Sequence, residues 1–535
     1  MRTTTEQDQI PADAAPDAVS EPNPRRGFLR AALGLAAGAT GVAASAATAG
    51  AQTPTRRGQP ASRTREPSPV RGVPRELAQV APAPQSVTDA WRDPVGRLVR
   101  RATFGITDDE LTRARQMGYR AYLEEQLAPS RIDDRACAAF VQRTYPVVSM
   151  APDALMRFDG FQALVQLQEA ALYRAAFSKR QLQERMVDFW TDHFSISRDD
   201  IGYLKVIDDR DVIRRHAMGY FPNLLRASAH SAAMLEYLDN TRSRRGAINE
   251  NYAREIMELH SLGVDGGYTQ QDVNELARVF TGWTRIGAGS FYYDAAMHDF
   301  GVKKVLGRIV PSSAQGTGLA GKQEAERIID FLALHPNTAK YISWKLARYF
   351  VAYQPPQAVV DAAAAEFLRT KGHIPSVLRV LLAEPTVRAS GPMYKRPLHL
   401  AASAVRALAP TVTSVGTVRS NVDVMGQSLY AWPTPDGYPM SMEFWMGLVI
   451  QRWNAVTSFA NASATSTSFA VNATPFTGTT PEDTAERIIR RCFGGEVPES
   501  FRTRLADYIR PAPTSATRIR EAMSLALASS QFQWY

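Results

Sequence analysis

The stretch NENYAREIMELHSLGVDGGYTQ, residues 249–270, sets the pattern that most of the chain follows. Its apolar residues Tyr252, Ile256 and Leu259 recur at helical spacing, and Gly263 is placed to end that helix. Thr269 then stands where a residue that caps the next helix is expected. Helices separated by glycine stops and capping residues recur on both sides of this stretch, so the sequence predicts an all-α fold.

One segment departs from the helical pattern. Residues 291–307, FYYDAAMHDFGVKKVLG, are rich in aromatic residues, lack a helical period and end in a Val/Leu strand signal. The 535-residue chain is 45% hydrophobic and 21% charged, which is ordinary for a globular protein with a sizeable core. We therefore predict one large multi-helix domain over residues 89–535, with a small β-hairpin insertion near 291–307.

The N-terminus reads as an export signal. Residues 24–30, PRRGFLR, place the pair Arg25 and Arg26 before an Ala/Gly-rich stretch, and residues 47–51 offer A-x-A cleavage sites. Residues 1–51 are thus predicted to be a twin-arginine signal peptide, and the protein periplasmic or secreted. A chance arginine pair or an uncleaved anchor is the alternative. Residues 52–88, rich in Pro and Arg, are predicted to be a disordered linker.

Charge and cysteine content exclude several classes of protein. The net charge is +9, but six arginines crowd residues 56–75, so the excess is largely a property of the tail and predicts no nucleic-acid binding. Cys137 and Cys492 are the only cysteines, and no spacing typical of thiolate-bound zinc exists. No later stretch has the ~20 apolar residues of a membrane span, so none is expected after signal cleavage.

The helix of residues 249–262 carries the first candidate site. At about 100° per residue, Glu250, Arg254, Glu255 and Glu258 share one face, whereas His260 projects with the apolar face. Two interpretations stay open. The polar face is either a solvated ladder of ion pairs, or a catalytic face whose paired carboxylates perform acid–base work.

Histidines and aromatic residues supply the other candidates. His298 and Asp299 follow the aromatic segment in what is predicted to be an accessible loop, and they are candidate catalytic residues or metal ligands. Together with His193 and His260 they could form a His/carboxylate site for a divalent metal. The alternative for each lone histidine is a packed core residue. In the rigid loop WPTPDGYP, residues 432–439, the candidate substrate-binding residues are Trp432, Asp436 and Tyr438.

Seven stretches of the chain, in this order, resemble the bacterial family known as domain of unknown function 1800. They are RLVRRATFG (97–105), QLQERMVDFWTDHFS (181–195), MLEYLDN (234–240), NENYAREIMELHSLGVDGGYTQQDV (249–273), LARVFTGW (276–283), HDFGVKKVLG (298–307) and GQSLYAWPTPDGYP (426–439). The resemblance implies an exported bacterial protein, often encoded beside a sulfatase-like protein of domain-of-unknown-function family 1501. One departure is visible, because that family usually has Asn or His where this chain has Thr191 and Asp192.

Two hypotheses for function follow. The first is an exported enzyme with a His/carboxylate site, metal-dependent if the four predicted ligands meet, that acts on an envelope or extracellular substrate. The second is a non-catalytic helical protein that binds or assembles with the sulfatase-like neighbour. The export machinery of the twin-arginine pathway is an expected partner under either hypothesis.

Overall fold

The structure, a computed structural model, describes residue 87 and residues 89–311, 319–462 and 468–535. The predicted signal peptide and nearly all of the predicted linker lie outside the described residues. The described part belongs to one compact unit, Val70–Tyr535. Within it the all-α prediction is confirmed, since 25 α-helices account for most residues and the six strands are short.

The first third of the domain is entirely helical. Side chains that accept hydrogen bonds from the first turn begin three of its helices, namely Asp93, Thr107 and Asp159. The helical pattern of residues 161–194 predicts two helices joined near Ser178, and the structure confirms this break. The helices are α1 (Pro94–Ala102), α2 (Asp108–Met117), α3 (Tyr119–Gln126), α4 (Arg135–Thr144), α5 (Pro152–Arg157), α6 (Gly160–Phe177) and α7 (Gln181–His193).

The middle third contains the stretch on which the sequence analysis began. Its helix ends at Glu258, four residues earlier than predicted, and a capping box formed by Thr269 and Asp272 starts the next one. The helices are α8 (Arg198–Ile201), α9 (Leu204–Asp208), followed by one π-helical turn (Asp209–Arg214), α10 (Phe221–Ala229), α11 (Ala232–Tyr237), α12 (Asn251–Glu258) and α13 (Gln270–Val279).

The β insertion is larger than predicted. It consists of two antiparallel hairpins, β1 (Trp283–Ile286) with β2 (Ser290–Tyr293) and β3 (Lys303–Val305) with β4 (Arg308–Val310). The helical pattern of the sequence predicts one helix over residues 270–283, but the first hairpin already begins at Trp283. The turn at Gly282, whose φ is +81°, separates α13 from β1 and explains the difference.

Helices resume after the insertion and continue to the C-terminus. They are interrupted by a two-stranded sheet of β5 (Thr411–Val412) and β6 (Phe469–Ala470), each two residues long. They are α14 (Ala320–Ala333), α15 (Pro336–Phe350), α16 (Gln357–Arg369), α17 (Ile374–Leu381), α18 (Glu384–Ala389), α19 (Pro397–Leu408), α20 (Gly416–Val424), α21 (Met442–Met446), α22 (Val449–Asn461), α23 (Pro481–Phe493), α24 (Glu499–Ile509) and α25 (Ala516–Ala528).

The buried apolar residues form two large clusters. One collects the inward faces of α7, α10, α12, α13 and α15, and the other those of α6, α19, α22, α23 and α25. Helix α7 thus belongs to the first cluster and α19 to the second. The candidate site described below lies where polar side chains connect these two helices.

A buried polar cluster fastens the β insertion to α14. The Glu324 carboxylate accepts from Lys303 on β3 and lies 2.8 Å from His298 Nε2, and all three side chains are at most 1% exposed. His298 Nδ1 lies 2.7 Å from the Thr281 carbonyl oxygen. Buried charged groups are stable only when they are paired, so the loss of one member of this cluster destabilises the fold.

We predict that Glu324→Leu lowers the free energy of unfolding by about 3–5 kcal/mol, because it leaves the Lys303 ammonium buried without its partner. Urea denaturation of the purified protein measures this. Glu326→Leu on the same helix is the matched control, since Glu326 is partly exposed and its loss should cost less than about 1 kcal/mol. Recovery of most of the lost stability by the double change Lys303→Met, Glu324→Leu is expected, and equal effects of the two single changes would contradict the prediction.

Candidate functional site

An open cleft of about 210 Å³ lies between the end of α7, the middle of α15 and the loop of residues 432–439. We call it the Lys345 cleft. Its polar lining includes Asp192, His193, Lys345, Arg348 and Asp436. Two of the residues predicted for different roles, His193 as a metal ligand and Asp436 as a substrate contact, are therefore brought together.

His193 and Lys345 form the base of this cleft. The His193 ring is buried, its Nε2 lies 3.2 Å from the carbonyl oxygen of His260, and its Nδ1 lies 3.0 Å from Lys345 Nζ. Because a carbonyl can only accept, Nε2 carries the ring proton and Nδ1 accepts from Lys345. The imidazole therefore positions the lysine, and both of its nitrogens are engaged.

Burial shifts the pKa values of both groups in the direction of the neutral form. It lowers the pKa of Lys345 to about 8, with Arg348 acting in the same direction and with Asp192 and Asp436 opposing it. Burial, followed by the nearby Lys345, holds the pKa of His193 well below its ordinary value. At neutral pH the imidazole is thus uncharged, and Lys345 is close to the point at which it can release or take a proton.

Acidic side chains at the end of α7 complete this side of the cleft. Burial raises the pKa of Asp192 to about 6, against the opposing charge of Arg396. The Arg396 guanidinium bonds both Asp192 and Asp188, and the Tyr349 hydroxyl donates to Asp188 across 2.5 Å. Asp192 is therefore held in one orientation beside Lys345.

The predicted rigid loop of residues 432–439 covers the opposite side. Trp432 Nε1 donates to Asp436 Oδ1 at 3.0 Å, and the Tyr438 hydroxyl donates to the Ser428 carbonyl at 2.6 Å. Gly437 has a φ of +76°, and a Cβ there would lie 2.2 Å from the Asp192 carbonyl oxygen. Only glycine allows the loop to approach α7 this closely, and that approach places Asp436 over the cleft.

The structure divides the predicted catalytic face of α12. Glu250 and Arg254 interact with each other and with Gln270 on α13, as in the ladder interpretation. Glu255 instead is partly buried on the side of Asp436. Burial, followed by the charge of Glu258, raises the pKa of Glu255 to about 7, and Asp436 adds to the rise.

Glu258 raises the pKa values of two tyrosines near the cleft. Burial and then Glu258 raise the pKa of Tyr268 to about 12, and the same causes in the same order raise the pKa of Tyr341. Tyr341 precedes Lys345 by one helical turn and lies 5.6 Å from its ammonium, measured to the ring centroid. The carboxylates of α12 therefore add negative charge beside the cleft without lining it.

His260 is buried beside His193, with ring centroids 6.1 Å apart. It was predicted to project with the apolar face, and its burial agrees with that. Burial, followed by Lys345, lowers the pKa of His260 to about 3. Its Nε2 has no hydrogen-bond partner among the described residues, in keeping with a histidine packed in the core.

His298 and Asp299 were predicted to occupy an accessible loop, and this prediction is wrong. His298 is fully buried in the cluster with Glu324 and Lys303, and Asp299 forms an ion pair with Arg278 at 2.8 Å. His298 is covered because Glu324 on α14 packs against it, which a pattern of local residues cannot show.

The predicted metal ligands do not fit a metal ion. Within residues 89–311, 319–462 and 468–535, no three His, Cys, Asp or Glu side chains are grouped so that they could hold one. His193 has both nitrogens engaged and His298 faces a carboxylate and a carbonyl. We therefore assign no step at this site to a metal.

Several residues of the cleft were not predicted, chiefly Asp192, Lys345, Arg348 and Arg396. Asp188 and Asp192 are spaced i, i+4 on α7, and Lys345 and Arg348 are spaced i, i+3 on α15. Those two spacings are the signals that could have found the site. Arg396 lies about two hundred residues from its partners, and no local pattern connects them.

These features define a class, a helical protein with a cleft that two helices and a proline-rich loop line with acidic and basic side chains. Comparison with known families matches residues 97–534 to the family described as "Protein of unknown function (DUF1800)", and the chain belongs to that family. No curated protein and no solved structure matches the chain. Within the described ranges, none of the helices combines the length and the apolar character that are needed to cross a membrane.

We predict that the free energy of unfolding of Glu255→Gln, relative to that of wild type, increases as pH rises from about 4.5 to about 7. In that window the folded wild type keeps the proton that its unfolded chain has lost, so its stability falls as pH rises, by about 1–3 kcal/mol. Urea titrations of wild type and variant at several pH values measure the difference. Glu250→Gln, at the surface of the same helix end, is the matched control. A pH-independent difference for Glu255→Gln would contradict the assignment.

Proposed function

We propose that the chain is an exported enzyme that catalyses proton transfer in the Lys345 cleft. One observation carries this proposal, the contact between Lys345 Nζ and His193 Nδ1 at 3.0 Å in an open cleft that carboxylates also line. A lysine whose pKa is lowered to about 8 is a suitable general base or acid near neutral pH. Its neighbour Asp192, whose pKa is raised to about 6, offers the complementary group.

The lining of the cleft suits a polar, hydroxyl-rich substrate. Lys345 and Arg348 provide positive charge, and Trp344 and Tyr438 provide ring surfaces beside it. Rings next to charged donors suit the faces and oxygens of sugars or similar hydroxyl-rich groups. We propose envelope or extracellular material as the source, in agreement with the export signal in the sequence.

In this mechanism, His193 positions Lys345 and does not itself exchange protons with the substrate. Lys345 removes a proton from the bound group, and Arg348 stabilises the negative charge that develops. Asp192 in its protonated form returns a proton to the bound group. Asp436 closes the cleft from the loop and opposes the loss of the proton from Lys345.

We predict that Lys345→Met lowers the turnover of a substrate by at least about 10²-fold, because the acid–base group is lost. Mass spectrometry of envelope glycans and extracellular metabolites incubated with the purified protein identifies the substrate and measures the rate. Lys322→Met, a partly exposed lysine on α14, is the matched control. Lys345→Arg should also fail, since a guanidinium does not exchange protons at this pH.

A second readout needs no substrate. Labelling of amines with acetic anhydride across pH, read by peptide mass spectrometry, should show Lys345 reaching half-maximal reactivity near pH 8. If Lys345 reached half-maximal reactivity only at the pH of an ordinary lysine, and Lys345→Met retained turnover, the proposal would be contradicted. That result would favour the alternative, a non-catalytic partner of the sulfatase-like neighbour.

Export is proposed from the sequence of residues 24–51. We predict that the double change Arg25→Lys, Arg26→Lys leaves the protein in the cytoplasm with its N-terminal segment intact, because the arginine pair is what the twin-arginine machinery reads. Cell fractionation and the intact mass of the protein test this, with Arg30→Lys as the matched control. Unchanged export of the double variant would rule out the twin-arginine route.

A further inference from the structure

An apolar surface that none of the described residues covers lies beside the loop that covers the cleft. It consists of Phe444 and Met446 on α21 and Val449, Ile450 and Trp453 on α22, and we call it the apolar face. These five side chains are between 38% and 67% exposed. Large apolar residues exposed singly are ordinary, but five within ten residues form a patch that points to a function.

The surroundings of the apolar face carry little charge. Glu443 and Arg452 are the only charged residues between positions 442 and 456. Arg452 is buried, where it donates to the Lys395 carbonyl and to Gln533. Glu443 is therefore the one exposed charge in that segment that opposes transfer of the face out of water.

The size of the face argues against an interface between two copies of the chain. Five large side chains exposed by about half present on the order of 500 Å². A stable protein interface takes about 800 Å² from each partner. Insertion of Trp, Phe and aliphatic side chains into the boundary of a bilayer needs no such area, because each side chain is transferred from water by itself.

Charge elsewhere in the chain favours the same occupant. The protein carries a net charge of +9, and six arginines lie in residues 56–75, ahead of the domain. Basic residues are attracted to anionic lipid head groups, and an apolar face in the same chain adds the hydrophobic part of the attachment.

We propose that the apolar face docks the protein on a lipid bilayer, with α21 and α22 as the contacting elements. The face is continuous with the loop over the cleft, because the ring of Phe444 lies 5.9 Å from that of Trp432, which bonds Asp436. Docking by this face therefore brings the Lys345 cleft next to the membrane surface. The inference does not depend on the chemistry proposed for the cleft.

Co-sedimentation of the exported protein with vesicles tests the docking. Vesicles of phosphatidylglycerol and phosphatidylcholine measure total attachment, and phosphatidylcholine vesicles at high salt isolate the apolar part. We predict that Ile450→Ser lowers the partition coefficient about tenfold, and that Ile450→Ser with Trp453→Ser lowers it further. Ile309→Ser on β4 is the matched control, because Ile309 is 68% exposed and Ile450 67%.

Three results would overturn the docking. They are failure of the wild type to sediment with either vesicle, wild-type sedimentation of the double variant, and a wild-type dimer in light scattering that the double variant breaks. Lys345→Met is expected to bind vesicles as the wild type does. The two proposals can therefore fail separately. Vesicle binding of the wild type tests the docking, and the turnover of Lys345→Met tests the role of Lys345.

Discussion

The ion bridge from Arg396 to Asp188 and Asp192 is the interaction on which the architecture of the site depends. Arg396 stands immediately before α19, a helix whose apolar residues belong to the second cluster. The two aspartates lie on α7, whose apolar residues belong to the first cluster. Charges this deeply covered are costly unless they are paired. The bridge therefore sets the position of α7 relative to α19, and with it the base of the cleft.

Burial dominates the electrostatics of the cleft. Lys345 has carboxylates nearby that favour its charged form, yet removal from water outweighs them and its pKa falls to about 8. Asp192 shows the same balance with the opposite sign, since its pKa rises to about 6 although Arg396 bonds it. An acid and a base with pKa values moved toward each other are thus produced by one cause, the limited access of water.

The predicted site residues differ in how well the sequence alone could locate them. Tyr438 and Asp436 could be chosen because proline and glycine mark a rigid loop, and both line the Lys345 cleft. His298 and Asp299 were misplaced because their environment depends on Glu324 and Arg278, more than twenty residues away. The ladder of Glu250 and Arg254 was recognised as one of two alternatives, and only the packing of Gln270 against it decides between them.

The sequence by itself determined the helical class, the family, the break at Ser178 and the loop of residues 432–439, because periodicity, capping and proline act over a few residues. It also located the polar residues of α12. The tertiary structure alone decided that His193 meets Lys345, that Arg396 joins two helices, and that His298 is buried. The physical reason is that burial and charge pairing depend on distances between segments far apart in the chain, and those distances exist only once the two apolar clusters have packed.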